Sequence, residues 1–211
     1  MIRKVLIVDD HEVVREGVKR LLDEQPGGIF CGEAGTPGEA VRMALGNDWD
    51  VVVLDLSFAG KSGLEVLKEL KQSRPRLPVL ILTMHSEEQY ARRAFKAGAA
   101  GFITKDSPRD ELSKAIHKVM EGGKYLSPSL AEKLIVDLER GFDRPPGETL
   151  SDREFQVMRL IASGKTLSEI AALLSLSDKT ISTYRARLME KMGMRTNAEL
   201  THYAFQNKLV D

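Results

Sequence analysis

Residues 50–55 read Asp-Val-Val-Val-Leu-Asp, and this stretch decides the fold. Three valines and a leucine in an unbroken run are typical of a short strand that is covered on both faces, as in a parallel sheet with helices on either side. The apolar run ends at Asp55, which then lies at the carboxyl end of the strand. Open α/β sheets place their ligand crevice at that end, so Asp55 is a candidate functional residue.

A second apolar run, close to the N-terminus, ends in the same way. Residues 5–8, Val-Leu-Ile-Val, are followed directly by Asp9 and Asp10. Strand and helix patterns alternate five times up to about residue 121, which predicts a five-stranded, doubly wound parallel sheet in the flavodoxin-like order 2-1-3-4-5. The first and third strands are neighbours in that order, so we expect Asp9, Asp10 and Asp55 to converge at one edge of the sheet.

Such a cluster of carboxylates requires protons or a cation. Two like charges about 5 Å apart repel by about 3 kcal/mol at an effective dielectric constant near 20. Oxygen ligands with room for water suit Mg²⁺, and a bound divalent ion would let Asp55 act as a nucleophile towards a phosphoryl donor, giving an aspartyl phosphate. Thr83 and Lys105 end the fourth and fifth strand patterns, where a hydroxyl and an ammonium can bond the phosphoryl oxygens.

The composition sets limits on the protein class. A chain of 211 residues suits two domains, and its net charge of zero gives no global sign of a nucleic-acid partner. The single cysteine, Cys31, excludes an intramolecular disulfide and suits a reducing cytosol. No signal-like segment follows Met1 and no apolar run approaches about 18 residues, so we expect a cytoplasmic protein without membrane association. The histidines lack metal-ligand spacing, so we expect none of them to bind a metal, although His11 and His85 fall near the edge of the sheet that carries the acids.

The rest of the chain is helical in pattern. Residues 122–148 predict a partly helical linker, stiffened near its end by Pro145 and Pro146. Residues 149–211 contain four amphipathic segments, two of which open with the capping-box patterns Ser151–Glu154 and Thr166–Glu169. We therefore expect a second, smaller all-α domain of four helices that contains a helix-turn-helix.

The third of these helices, from Ser177 to about Met192, carries two contrasting faces. The core face contains Ile181, Tyr184, Leu188 and Met192, whereas Lys179, Ser182, Thr183, Ala186 and Glu190 point outward and Arg185 and Arg187 flank them. Small groups on the outer face can reach base edges, and guanidinium groups suit phosphates, so the pattern indicates DNA binding. A solvated helix face without a ligand explains the same pattern.

Five separated positions of the first domain agree with a known family. They are Asp9 with Asp10, Asp55, Thr83, Phe102 and Lys105. In this order, and on these elements, they resemble the receiver domain of two-component response regulators over residues 1–121. The chain departs from the family pattern at two positions. In the loop after Asp55, Ala59 stands in place of the usual proline, and Asp106 follows Lys105 where the family often has a cis proline.

The resemblance implies a role for each position. Asp55 would accept a phosphoryl group from a sensor histidine kinase, and Lys105 would neutralise it. Mg²⁺ would be held by Asp10, Asp55 and the backbone carbonyl of Ser57, with Asp9 beside them. Thr83 and Phe102 would form the switch pair, in which phosphorylation of Asp55 draws in Thr83 and Phe102 moves inward.

Residues 150–209 resemble the LuxR-type output domain throughout. The matching segments are Leu-Ser-Asp-Arg-Glu at 150–154, Glu-Ile-Ala at 169–171, Lys-Thr-Ile at 179–181 and Lys-Met-Gly at 191–193. Together with the receiver they make the chain similar to response regulators of the NarL/FixJ type. This implies double-stranded promoter DNA, RNA polymerase and a second copy of the chain as partners, with dimerisation through the last helix. Many relatives carry lysine where this chain has Ser182.

We therefore expect a transcription factor that is controlled by phosphorylation of Asp55, not an enzyme. Two alternatives stay open. One is a DNA-binding protein that does not depend on phosphorylation. The other is a Mg²⁺-dependent phosphohydrolase with an aspartyl nucleophile, although that class places a second acid where this chain has Ser57.

Overall fold

The structure, a computed structural model, describes residues 2–25, 28–58, 62–84, 88–128, 130–132, 146–207 and 209–210. The chain divides into two compact units, Met1–Val136 and Asp137–Asp211, which we call the N-terminal and C-terminal units. The predicted domain limits at 121 and 149 stay predictions. Outside the described residues lie Ala59, His85, most of the predicted linker helix and residues 141–145 of the proposed linker core, which was predicted over 141–147. Residues 146 and 147 of that core begin a 3₁₀ turn, and Pro128 and residues 130–132 are helical.

A six-stranded parallel sheet forms the centre of the N-terminal unit, in the order β2-β1-β3-β4-β5-β6. Its strands are β1 Arg3–Val8, β2 Ile29–Ala34, β3 Val51–Leu54, β4 Val79–Thr83, β5 Gly101–Thr104 and β6 Tyr125–Leu126. The predicted order of the first five strands is confirmed, and the predicted strand number is corrected by β6. That strand pairs with Gly101 and Phe102. It is only two residues long, which is too short to produce a recognisable pattern in the sequence.

Five helices cover the two faces of this sheet. They are α1 Glu12–Asp23, α2 Pro37–Gly46, α3 Gly63–Ser73, α4 Glu88–Lys96 and α5 Arg109–Met120. Val51 and Val53 pack with residues of α1 and α5 in one apolar cluster, while Val52 and Leu54 point to the opposite face. All four side chains of β3 are at most 1% exposed, which explains the unbroken apolar run.

The C-terminal unit consists of a 3₁₀ turn, Pro146–Thr149, and four helices among its described residues. The helices are α6 Asp152–Ala162, α7 Leu167–Leu174, α8 Asp178–Met192 and α9 Asn197–Gln206. Both predicted capping boxes are present, at the starts of α6 and α7. The hydroxyl of Ser177 accepts a bond from the backbone N–H of Thr180 and so begins α8, and Gly193, with φ of +65°, ends it.

Within the described ranges, no helix has the length and apolar character that a membrane span needs.

Candidate functional site

The carboxylates of Asp9, Asp10 and Asp55, together with the ammonium of Lys105, form a cluster that we call the acidic edge. Val8 and Leu54 are partners in the β1–β3 register, so the residues that follow them emerge side by side. One ligand atom from each of Asp9, Asp10, His11 and Asp55 lies within 4.8 Å of the others. Asp9 and Asp55 are only 2% and 1% exposed. The sheet therefore brings Asp55 together with two consecutive acids, Asp9 and Asp10, that are far from it in the sequence.

Lys105 connects the two buried acids. Its Nζ lies 2.7 Å from Asp9 Oδ2 and 2.9 Å from Asp55 Oδ2, and its side chain is 10% exposed. Burial opposes the charge of Lys105, but the hydrogen bonds to Asp9 and Asp55 outweigh burial and raise the pKa of the lysine above its ordinary value. The ammonium therefore stays charged, and it offsets the repulsion between the two carboxylates.

The carboxylate of Asp55 is held at both oxygens. Its Oδ1 accepts the backbone N–H of Leu56 at 2.7 Å, and its Oδ2 accepts Lys105. Burial raises the pKa of Asp55, and the lysine opposes this rise without cancelling it. The strand end and these two donors thus fix the direction of the carboxylate before any ligand binds.

Ser57 follows Asp55 by two residues and is half-buried. The contribution of its carbonyl to a metal site stays a prediction.

Thr83 and Phe102 lie on the same face of the sheet. Leu82 and Ile103, their neighbours in the chain, belong to the cluster under α1 and α5, so Thr83 and Phe102 point to the opposite side. Neither has exposed surface. The aromatic ring of Phe102 is already buried in this structure, and burial of a large apolar side chain is favourable. The inward movement predicted for Phe102 would therefore begin from a different conformation, and it stays a prediction.

His11 contacts the acidic edge directly. Its Nδ1 is 2.7 Å from Asp10 Oδ1 and 3.2 Å from Asp9 Oδ1, and its backbone N–H donates to Asp9 Oδ1 at 2.9 Å. The prediction that His11 is a non-metal residue stays a prediction, and the structure places its imidazole beside two of the acids. Spacing rules search for ligands three or four residues apart on a helix, whereas these three residues are consecutive and turn from a strand into α1.

The donor set fits a divalent cation. Three carboxylates converge, of which Asp10 is the most accessible with 34% of its side chain exposed. Hard oxygen donors beside solvent suit Mg²⁺, which keeps several of its water ligands.

The predicted DNA-contacting residues lie on the outer face of α8 and on its two flanks, and we call this set the reading face. It consists of Lys179, Ser182, Thr183, Ala186 and Arg187, all exposed, and Arg185, which is half-buried. The predicted core residues Ile181, Leu188 and Met192 are buried, and Tyr184 is half-buried. The Nε of Arg185 donates to Asn197 Oδ1 at 2.9 Å.

Family comparison identifies both domains. Residues 5–117 match the response regulator receiver domain, and residues 148–204 match the bacterial regulatory proteins of the luxR family. The chain therefore belongs to the two-component response regulators that carry a LuxR-type DNA-binding domain and regulate transcription.

Individual relatives extend over nearly the whole chain. The response regulator UvrY of Escherichia coli K12 is 35% identical over 206 residues, covering 97% of this chain and 94% of UvrY. The response regulator GacA of Pseudomonas aeruginosa is 35% identical over 209 residues, covering 99% and 98%. RcsB of Salmonella enterica serovar Typhimurium, solved on promoter P1flhDC with the phosphomimetic BeF₃⁻, is 26% identical with a TM-score of 0.67, covering 96% and 98%.

Proposed function

We propose that Asp55 is the phosphoacceptor of this response regulator and that its phosphorylation increases promoter binding by α8. The observation that carries the proposal is the environment of Asp55, which is 1% exposed at the end of β3. Each of its two carboxylate oxygens accepts a hydrogen bond, one from the backbone N–H of Leu56 and one from Lys105. A carboxylate that is fixed in direction, desolvated and placed beside a cation is suited to attack a phosphorus atom.

Phosphoryl transfer then follows from the groups at the acidic edge. An oxygen of Asp55 attacks the phosphorus of a phosphohistidine on a sensor histidine kinase, the phosphorus–nitrogen bond breaks, and the imidazole leaves with the bonding electron pair. Asp10, Asp55 and the Ser57 carbonyl would hold Mg²⁺, which, when bound, would neutralise charge on the phosphoryl oxygens. The ammonium of Lys105, which donates to the Asp55 carboxylate in this structure, then donates a hydrogen bond to a phosphoryl oxygen.

The switch lies on the face of the sheet that Thr83 and Phe102 share. The hydroxyl of Thr83, at the end of β4, bonds a phosphoryl oxygen and thereby draws the strand end towards Asp55. In the phosphorylated state, the side chain of Phe102 lies buried against the sheet. Phosphorylation thus biases the receiver between two arrangements, and a phosphoryl group can shift that balance only by binding one arrangement better than the other.

The output is DNA binding through the reading face. Lys179, Ser182, Thr183 and Ala186 are assigned to base edges, where small side chains allow close approach, and Arg185 and Arg187 to phosphates. Two copies joined through α9 would present two α8 helices to half-sites about one DNA turn apart. The solved RcsB complex with promoter DNA is a precedent for such binding in a relative.

The test is DNA affinity with and without a phosphodonor. Duplexes are first selected from a randomised pool by the full-length protein in acetyl phosphate and Mg²⁺, and the dissociation constant of a selected duplex is then measured. We expect acetyl phosphate to tighten binding by the wild type and by Asp110→Asn, an exposed control, but not by Asp55→Asn. Equal affinity under both conditions would instead support the phosphorylation-independent alternative.

A further inference from the structure

The acidic edge contains a nitrogen donor as well as oxygens. His11 Nδ1 lies 2.7 Å from Asp10 Oδ1 and 3.2 Å from Asp9 Oδ1. Adjacent ligands of an octahedral ion are about 3 Å apart when each metal–ligand bond is about 2.1 Å. The imidazole nitrogen is therefore already at a ligand-to-ligand distance from two carboxylate oxygens, without any change of the backbone.

The position of His11 is set by the start of α1. The residue is the N-cap, with φ of −92° and ψ of 110°, and its carbonyl accepts the backbone N–H groups of Val14 and Arg15. Its own N–H is fixed to Asp9 at 2.9 Å. With 67% of the side chain exposed, Nε2 can bond water, and an ion between Nδ1 and the two carboxylates would replace the hydrogen bond that joins them in this structure. The imidazole is thus anchored by its backbone and open to an incoming ion.

The oxygens that face His11 differ from those bound to the lysine. Lys105 occupies Oδ2 of Asp9 and Oδ2 of Asp55, whereas the contacts of His11 are with Oδ1 of Asp9 and Oδ1 of Asp10. A cation at His11 would therefore not need to displace the ammonium. Imidazole among carboxylates favours Co²⁺, Ni²⁺ and Zn²⁺, while Mg²⁺ is bound by oxygen ligands.

We infer that His11 is a metal ligand that gives the acidic edge selectivity for late first-row divalent ions over Mg²⁺. The inference rests on the proposed Mg²⁺ site, because both classes of ion would bind Asp10. Loss of the nitrogen removes one ligand from Co²⁺ and none from Mg²⁺. His11 thereby sets which ions compete for the site that phosphorylation uses.

The alternative is a purely positioning role. Nδ1–H would donate to Asp10 and orient that carboxylate for any ion. Removal of the imidazole would then weaken Mg²⁺ and Co²⁺ alike, because both ions use Asp10.

The test compares Co²⁺ and Mg²⁺ binding to untagged, full-length wild type, His11→Asn and His202→Asn by isothermal titration calorimetry, with visible absorption as a second readout for Co²⁺. Asparagine is a favoured N-cap, so α1 keeps its start, and His202 is an exposed histidine of α9. We expect His11→Asn to weaken Co²⁺ by about tenfold or more and to change its visible spectrum, with Mg²⁺ affinity within about twofold of wild type. His202→Asn should match the wild type.

Unchanged Co²⁺ affinity in His11→Asn, or an equal loss for both ions, would overturn the ligand role. Failure of Mg²⁺ to bind the wild type would contradict the proposed Mg²⁺ site itself, whatever Co²⁺ does. Melting temperatures of the three proteins, measured in chelator, establish that each is folded and that an affinity change is local.

Discussion

The acidic edge and the reading face hold their functional side chains in opposite ways. At the acidic edge, Asp9 and Asp55 are almost fully buried, and both are bound by one lysine. On the reading face, residues such as Ser182 and Arg187 are exposed, and the packing of α8 depends on the other side of the helix. At the acidic edge, the same side chains contribute to stability and to the proposed chemistry. In α8, the residues that stabilise the fold differ from those assigned to DNA contacts.

This difference agrees with the roles that we propose for the two regions. Phosphoryl transfer requires charges that are desolvated and fixed before reaction, because electrostatic interactions are strong only where water is excluded. DNA recognition requires side chains that reach outward to base edges and phosphates. We therefore expect substitutions at the acidic edge to change stability and function together, and substitutions on the reading face to change DNA binding alone.

The largest effect is expected for Lys105→Met. Two buried carboxylates would lose their shared cation, and leaving a buried charge without its partner costs about 3 kcal/mol or more. Calorimetry of the full chain should show a lower melting transition for the N-terminal unit, with partial recovery in millimolar Mg²⁺. Lys114→Met, an exposed lysine of α5, is the matched control. Equal melting of the two variants would refute the view that the buried acids depend on this cation.

Glu154→Gln tests a buried charge in the C-terminal unit that lies away from the reading face. Burial opposes its charge, but bonds from Lys191 and from Ser151 outweigh burial and hold the pKa of Glu154 below its ordinary value of 4.5. The stabilisation is therefore present above pH 4.5 and is lost as the pH falls through the lower value in the folded protein. Melting curves at several pH values should show a loss of about 2 kcal/mol at pH 7 that shrinks in acid.

The control for this prediction is Glu190→Gln, an exposed glutamate of α8. It should leave both the melting temperature and its pH dependence as in the wild type. If Glu154→Gln destabilised the unit by the same amount at acid and neutral pH, the loss would come from packing and not from the ion pair.

Arg187→Ala should affect DNA binding but not stability. Loss of one phosphate contact should weaken binding to a random-sequence duplex by about tenfold and lower the slope of log K against log salt by about one. The measurement is fluorescence anisotropy over a salt series, with Arg42→Ala, an exposed arginine of α2, as the control. An unaltered salt slope would remove Arg187 from the set of phosphate contacts.

The smallest effect is expected for Ser182→Lys, which adds a cation to the reading face. An exposed substitution on a helix changes stability by no more than about 0.5 kcal/mol. The added charge should instead tighten non-specific duplex binding and increase the salt slope, as measured by the same anisotropy series. A clear loss of thermal stability would show that this face contributes to packing after all.

Much of the fold could be predicted because its signals are local. The apolar run at 51–54 and the acids that follow two strands were sufficient to predict the parallel sheet and the convergence of Asp9, Asp10 and Asp55. The strand β6 could not be predicted, because its two residues are paired only through the neighbouring strand. The burial of Met189 beside the predicted core residues of α8 was also missed, since its position on the helix lies outside the stripe of apolar spacing.

The candidate site was predictable in its charges but not in its contacts. Strand order predicts which acids meet, whereas the bridge from Lys105 to both Asp9 and Asp55 depends on side-chain conformation. The contact of His11 with Asp10 depends on the turn between β1 and α1, and no spacing rule describes that turn. The sequence also does not determine the position of the Phe102 side chain, which is buried in this structure.

The central claim is that the buried carboxylate of Asp55 receives the phosphoryl group. Intact-protein mass spectrometry after incubation with acetyl phosphate and Mg²⁺ tests this most directly. We predict that the wild type gains the mass of one phosphoryl group and that Asp55→Asn gains none, while both proteins have native circular dichroism. Equal labelling of the Asp55→Asn protein would contradict the account.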